Sequence, residues 1–216
     1  MDWISQRWPT LFVLCAAAYI GTEALRPFPW QWLVKVLPIL MLLAAAFRLL
    51  QGRLRTQVIL ALCCSAAGDV LLTLPGSFGF LWGLGAFLCA QACYAWIFFN
   101  RRHAAHSMTK MLLSALAGVY AVAMAFQILP DALALRIAVL CYLCVITLML
   151  LAAVWAWNTH HRHLIGAALF VASDSLLAWN MFVVPLPWAS LGVMSTYYLA
   201  QYLLLTGIIA YPRADS

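Results

Sequence analysis

Charge is scarce in this chain: only 8% of its 216 residues are Asp, Glu, Lys or Arg, and just six are acidic. A soluble domain carries about 25% charged residues, so a surface facing water on all sides is excluded. Mean hydropathy is +0.97 and 67% of the residues are hydrophobic. Alternating strands of about ten residues, the mark of an outer-membrane barrel, are absent. No G-x-S-x-G, H-E-x-x-H or phosphate-binding loop occurs, which removes the usual support for serine esterase, zinc protease and ATPase chemistry. No metal or cofactor motif is present, and the expectation is a protein that needs neither.

Histidine is missing from the apolar segments. All five, at 103, 106, 160, 161 and 163, are expected in two loops, which leaves no buried imidazole for a haem or a metal. The H-H-R-H run at 160–163 reads as a solvated loop near lipid headgroups. The seven cysteines lie within apolar segments, and Cys141-x-x-Cys144 stands in mid-helix without a thioredoxin-like context. They read as small packing residues.

What remains is a series of apolar stretches about 17–25 residues long, the length needed to cross a roughly 30 Å hydrocarbon core. The fold class is therefore all-α, a polytopic membrane bundle of eight transmembrane helices. The expected spans are 9–24, 31–50, 57–74, 79–99, 110–129, 133–157, 164–184 and 189–211. The first is taken as an uncleaved span, although C-A-A-A-Y-I-G resembles a signal-peptidase site. Short loops leave one integral membrane domain, 1–216. With the N-terminus inside, Arg7, Arg48, Arg53, Arg55, Arg101, Arg102, Lys110, Arg162 and Arg213 are cytoplasmic, against Arg26, Lys35 and Arg136 outside. Nine against three is a positive-inside bias, so both termini are expected in the cytoplasm of a bacterial inner membrane. The net charge of +6 then answers to topology and anionic membrane lipids, and no nucleic acid need be invoked.

Two segments resemble each other. In S-A-A-G-D-V-L-L and V-A-S-D-S-L-L-A, Asp69 aligns with Asp174, and Ala90-Gln91 aligns with Ala200-Gln201 further on. Each half, roughly 1–105 and 106–216, holds four spans, so the halves are expected to form a parallel repeat. At 1.5 Å per residue both aspartates, and the glutamines opposite, fall about 15–18 Å deep, near the midplane. Ser65, Asp69 and Thr73 form one helical stripe. Gln91 shares a face with Tyr94, and Tyr197 with Gln201. Lys35 enters the second span from the outer side.

An intramembrane carboxyl costs at least about 2.5–3.5 kcal/mol to insert and marks a functional site by default. The alternative is interhelical glue, with Ser65, Thr73 and Ser173 packing helices, Lys35 snorkelling to the interface and Glu23 an interfacial partner for it. Two carboxyls in low dielectric resist double ionisation, so one serves as acid and the other as base. Alkenyl ether, epoxide or glycoside hydrolysis would use such a pair. So would proton coupling in a transporter or lipid carrier.

Five sequence features together resemble the YhhN family of eight-span membrane proteins, which includes the animal lysoplasmalogenases. They are Lys35 with Pro38, G-D-x-L-L at 68–72, F-x-x-G-L-x-x-F-L-x-A-Q-x-x-Y at 80–94, G-A-x-L-F-x-x-S-D-S-L-L-A at 166–178 and Y-Y-L-A-Q-Y-L-L at 197–204. The family usually carries His where this chain has Gln91, and its Lys-Pro pair is here Lys35-Val-Leu-Pro38. The resemblance implies hydrolysis of the vinyl ether bond of a lysoplasmalogen, giving a fatty aldehyde and glycerophospho-ethanolamine or -choline. It makes a lysophospholipid the expected partner. Asp69 and Asp174 are then the expected catalytic pair, with Asp174 as base and Asp69 as acid. Gln91, Tyr94, Tyr197, Gln201 and Ser173 support them, and Lys35 suits the substrate phosphate.

Overall fold

A computed structural model describes residues 3–102, 107–156 and 161–210. His103, His106, His160 and Arg213 lie outside these. The described residues contain eight α-helices: α1 (Trp3–Gly21), α2 (Gln31–Leu49), α3 (Gly52–Leu71), α4 (Gly76–Phe99), α5 (Met108–Ile128), α6 (Arg136–Ala156), α7 (Arg162–Phe182) and α8 (Ala189–Ile209). No strand occurs among them. Seven helices, α2 to α8, are long and apolar enough to cross a membrane. The chain is a multi-pass helical membrane protein. α1, with Arg7 and Pro9 in its first half, is not in that set.

Each helix packs on the next in sequence except α4 and α5; α4 packs on α6 instead, and α2 packs on α8. The tightest contact is α7 against α8, where glycines let backbones meet. A Cβ on Gly166 would stand 2.8 Å from the Leu204 nitrogen, and one on Gly207 would stand 2.6 Å from the His163 nitrogen. α1 joins the bundle through rings: Trp8 and Phe12 lie 5.5 and 5.4 Å from Tyr202, and Tyr19 lies 6.2 Å from Tyr198.

Several boundaries depart from the sequence expectation. α3 begins at Gly52 rather than 57, because the turn Arg53-Leu54-Arg55 is helical although polar. It ends at Leu71, short of the expected 74. Leu74 precedes Pro75, which disfavours helix there, and Gly76 opens α4 with φ +86°. Thr73 therefore leaves the expected Ser65–Asp69–Thr73 stripe, and its hydroxyl donates to the Val70 carbonyl. Asp69 lies two residues from the end of α3, while Asp174 lies eight from the end of α7.

His163 also departs from expectation. It belongs to the first turn of α7, is buried, and its ring centroid is 5.5 Å from that of Phe98. Close approach of Gly207 draws this residue out of the expected loop and into the α7–α8 seam. The seven cysteines are all free.

Candidate active site

Pro38 lies inside α2 and supplies no N–H to the carbonyl of Val34, which loosens that turn. The Tyr198 hydroxyl donates to the neighbouring Lys35 carbonyl at 2.7 Å, tying α8 to it. This fixes Lys35 one turn into α2, with its side chain only 10% exposed and Nζ 3.4 Å from Asp69 Oδ1. The ammonium is thus directed at a carboxylate.

Asp69 is buried in α3 and accepts a second contact, a 2.8 Å hydrogen bond from the Tyr197 hydroxyl. Tyr197 is held from both sides, with ring centroids 5.6 Å from Phe87 and 5.5 Å from Phe170, each nearly perpendicular. Gly68 makes this possible: a Cβ there would meet the Phe87 ring at 2.6 Å. The glycine before the aspartate therefore seats the ring that braces the tyrosine.

Behind Tyr197 runs a buried amide network. The Tyr94 hydroxyl donates to Gln201 Oε1 at 2.7 Å, and Gln201 Nε2 donates to Ser65 Oγ at 2.9 Å. Nε2 also approaches the Tyr197 hydroxyl oxygen at 3.5 Å. With that oxygen facing a donor, its own proton is directed at Asp69.

Asp174 has different company. It accepts a short hydrogen bond from the Tyr142 hydroxyl of α6, and no cation lies within ion-pair distance among the described residues. Gln91 sits against Tyr142 from α4, fully buried, yet neither amide atom makes a hydrogen bond of good geometry among the described residues. Ser173 donates to the Val193 carbonyl at 3.0 Å, joining α7 to α8.

A cavity of about 370 Å³ brings Asp69, Asp174, Lys35, Ser173 and Tyr197 together. Gln91, Tyr94 and Gln201 do not line it. The cavity opens at the end of the bundle that carries the α1–α2, α3–α4 and α7–α8 connections, where Arg26, Gly76 and Ser190 stand. Its deeper wall is apolar, formed by Leu72, Phe80, Phe87 and Leu177. Asp174 also borders two smaller apolar pockets, both touching Tyr142. Among the described residues no group of His, Cys, Asp and Glu could hold a metal ion.

Tyr142, Arg26, Gln31 and Asn180 were not singled out from sequence. Tyr142 carried one signal: a phenolic hydroxyl in the middle of an apolar helix must find a partner. It stands inside the Cys141–Cys144 motif, whose sulfurs are a distraction.

The sequence pattern of the YhhN family matches residues 30–208. Human lysoplasmalogenase TMEM86B is 32% identical over 212 residues, covering 95% of this chain and 88% of that protein. The pig TMEM86B lysoplasmalogenase is 34% identical over 182 residues, covering 84% of this chain and 76% of the relative. A lysoplasmalogenase of Mycobacterium tuberculosis is 29% identical over 173 residues, covering 77% and 66%. No solved structure matches. With the family pattern spanning most of the chain, and its two Asp segments meeting in one cavity, the protein belongs to the YhhN family.

Proposed function

We propose that this protein is a lysoplasmalogenase, cleaving the vinyl ether bond of a lysoplasmalogen to a fatty aldehyde and a glycerophospho-ethanolamine or -choline. The observation that carries the reading is one cavity holding two carboxyls with unequal partners, Asp69 buried and Asp174 half-buried. The relatives named lysoplasmalogenase support the same substrate.

The roles follow from the partners and reverse the sequence expectation. Asp69, beside the Lys35 ammonium, is the ionised base. Asp174, met only by a neutral hydroxyl, carries the proton. It donates that proton to the β-carbon of the alkenyl chain, leaving an oxocarbenium ion at the α-carbon. Asp69 stabilises the cation and takes a proton from a water that adds to the α-carbon. The hemiacetal then breaks its bond to the glycerol oxygen. That oxygen takes up the proton from Asp69, and the hemiacetal hydroxyl returns its own to Asp174. One water is consumed and both carboxyls are restored.

Eight spans in two parallel four-helix halves, with both termini cytoplasmic in a bacterial inner membrane, complete the proposal. The pairing of α4 with α6 and α2 with α8 supports the repeat. So does the matching supply of one polar partner to each Asp, Lys35 from α2 and Tyr142 from α6. A single-chain lipid reaches the cavity from the bilayer, its tail against the apolar wall. The test is aldehyde release from lysoplasmenyl-phosphoethanolamine by purified protein, which is absent if the reading is wrong.

A further inference from the structure

Lys35 faces Asp69, so the cavity's other cation, Arg26, is the one that stands at the mouth. Its guanidinium is fixed. One Nη donates to Glu23 Oε2 and Ser190 Oγ, both at 2.6 Å, and the other donates to the Tyr19 carbonyl at 2.6 Å. Its central carbon lies 3.9 Å from the Tyr19 ring centroid. The side chain is 11% exposed, while that of Glu23 is 41% exposed. Arg26 Nε is buried and has no acceptor among the described residues. A buried charged donor without a partner is costly, and this one belongs to a residue that lines the cavity.

Cation and anion therefore stand side by side at the mouth, the cation on the cavity side and the carboxylate toward water. Ser190 connects them, donating to Glu23 at 2.8 Å. Gln31 and Lys35 are four residues apart on α2, so Gln31 lies about 6 Å nearer the mouth. A purely anionic ligand would gain little from this neutral pair, whereas a zwitterion matches both ends of it.

We infer that Arg26 and Glu23 form a receptor for a zwitterionic phospholipid headgroup. Arg26, with Gln31 and Ser190, takes the phosphodiester, and Glu23 takes a primary ammonium. This rests on the lysophospholipid reading above and adds its headgroup. A quaternary ammonium cannot donate to Glu23, so phosphoethanolamine is preferred to phosphocholine. The glycerol then spans from Arg26 toward the two carboxyls, with the chain beyond them.

Binding tests this without chemistry. The probes are a saturated 1-acyl lysophosphatidylethanolamine, a lysophosphatidate and a monoacylglycerol of equal chain length, titrated onto detergent-purified full-length protein. Arg26→Gln weakens both phospholipids at least about tenfold, as loss of a charged hydrogen bond requires, and leaves the monoacylglycerol unchanged. Glu23→Gln keeps Arg26 bonded to Tyr19 and Ser190, so it guards against a misfolded Arg26 variant. It weakens the ethanolamine lipid and tightens lysophosphatidate. Equal weakening of all three lipids by Arg26→Gln, no crossover in Glu23→Gln, or no headgroup discrimination by the wild type would each overturn the inference. Headgroup discrimination without aldehyde release would sink the hydrolase and leave the receptor. Aldehyde release without discrimination would do the reverse.

Discussion

Lys35 reaches from α2 to within 3.4 Å of Asp69 Oδ1, whereas Asp174, its counterpart in the second half of the sequence, receives only the hydroxyl of Tyr142. Two aspartates that look equivalent in sequence are thus unequal in charge environment. In the proposed mechanism that inequality divides acid from base.

Removing the cation alone leaves Asp69 buried and unpaired. Lys35→Met is expected to cost about 3–5 kcal/mol of stability, the usual penalty for breaking a buried pair from one side. Lys35→Met with Asp69→Asn recovers most of that loss. Thermal unfolding of the two variants beside each single variant measures the coupling, and additive losses would contradict the ion pair.

Tyr142, half-buried, and Tyr94, buried, each direct a hydroxyl at a partner, but only one touches a cavity carboxyl. Tyr142→Phe is expected to lower kcat by about ten- to a hundredfold with KM unchanged, because it removes a hydrogen bond to the proton donor. Tyr94→Phe breaks a bond to Gln201 and costs about 1 kcal/mol of stability, with kcat kept within about threefold. Steady-state kinetics and unfolding on the same samples separate the two.

The two glutamines of the repeat differ in the same way. Gln201 holds Tyr94 and Ser65, so Gln201→Leu strands both and costs about 2 kcal/mol or more. Gln91 has no hydrogen bond of good geometry among the described residues, so Gln91→Leu is neutral or stabilising by about 1 kcal/mol. Equal destabilisation by both would contradict the observed networks.

Gly68→Ala drives a methyl into the Phe87 ring at 2.6 Å. It is expected to cost about 1–3 kcal/mol through overpacking and to lower kcat by displacing the brace on Tyr197. Gly85 has nothing within 4 Å of its added Cβ, so Gly85→Ala is the control, neutral or stabilising by up to about 1 kcal/mol.

Much of this was legible in the sequence, for identifiable reasons. The apolar segments were long and separated by charge or proline, so eight helices could be counted, and the α2 and α8 starts at Gln31 and Ala189 fall where expected. Asp69 and Asp174 stood out because carboxyls are costly among apolar residues. The helix ends were harder. Hydropathy cannot see that Arg53-Leu54-Arg55 is helical or that Pro75 stops α3 early, so the expected span starts late and runs on past Thr73. Partners were harder still. The direction of Lys35, the bond from Tyr142 and the burial of His163 depend on which helix lies opposite, and helical periodicity within one segment carries no such information. Arg26 was read only as a topological charge, since nothing in its neighbourhood sequence reveals Ser190, 164 residues away, as its partner.

The most direct measurement is aldehyde release from lysoplasmenyl-phosphoethanolamine by detergent-purified wild type, Asp69→Asn and Asp174→Asn, with folding checked by size exclusion and thermal unfolding. The account predicts turnover by the wild type and a loss of about 10²–10⁴-fold in kcat for each variant while both remain folded. Undiminished turnover in either folded variant would contradict the two-carboxyl mechanism, and a folded wild type that releases no aldehyde would contradict the substrate.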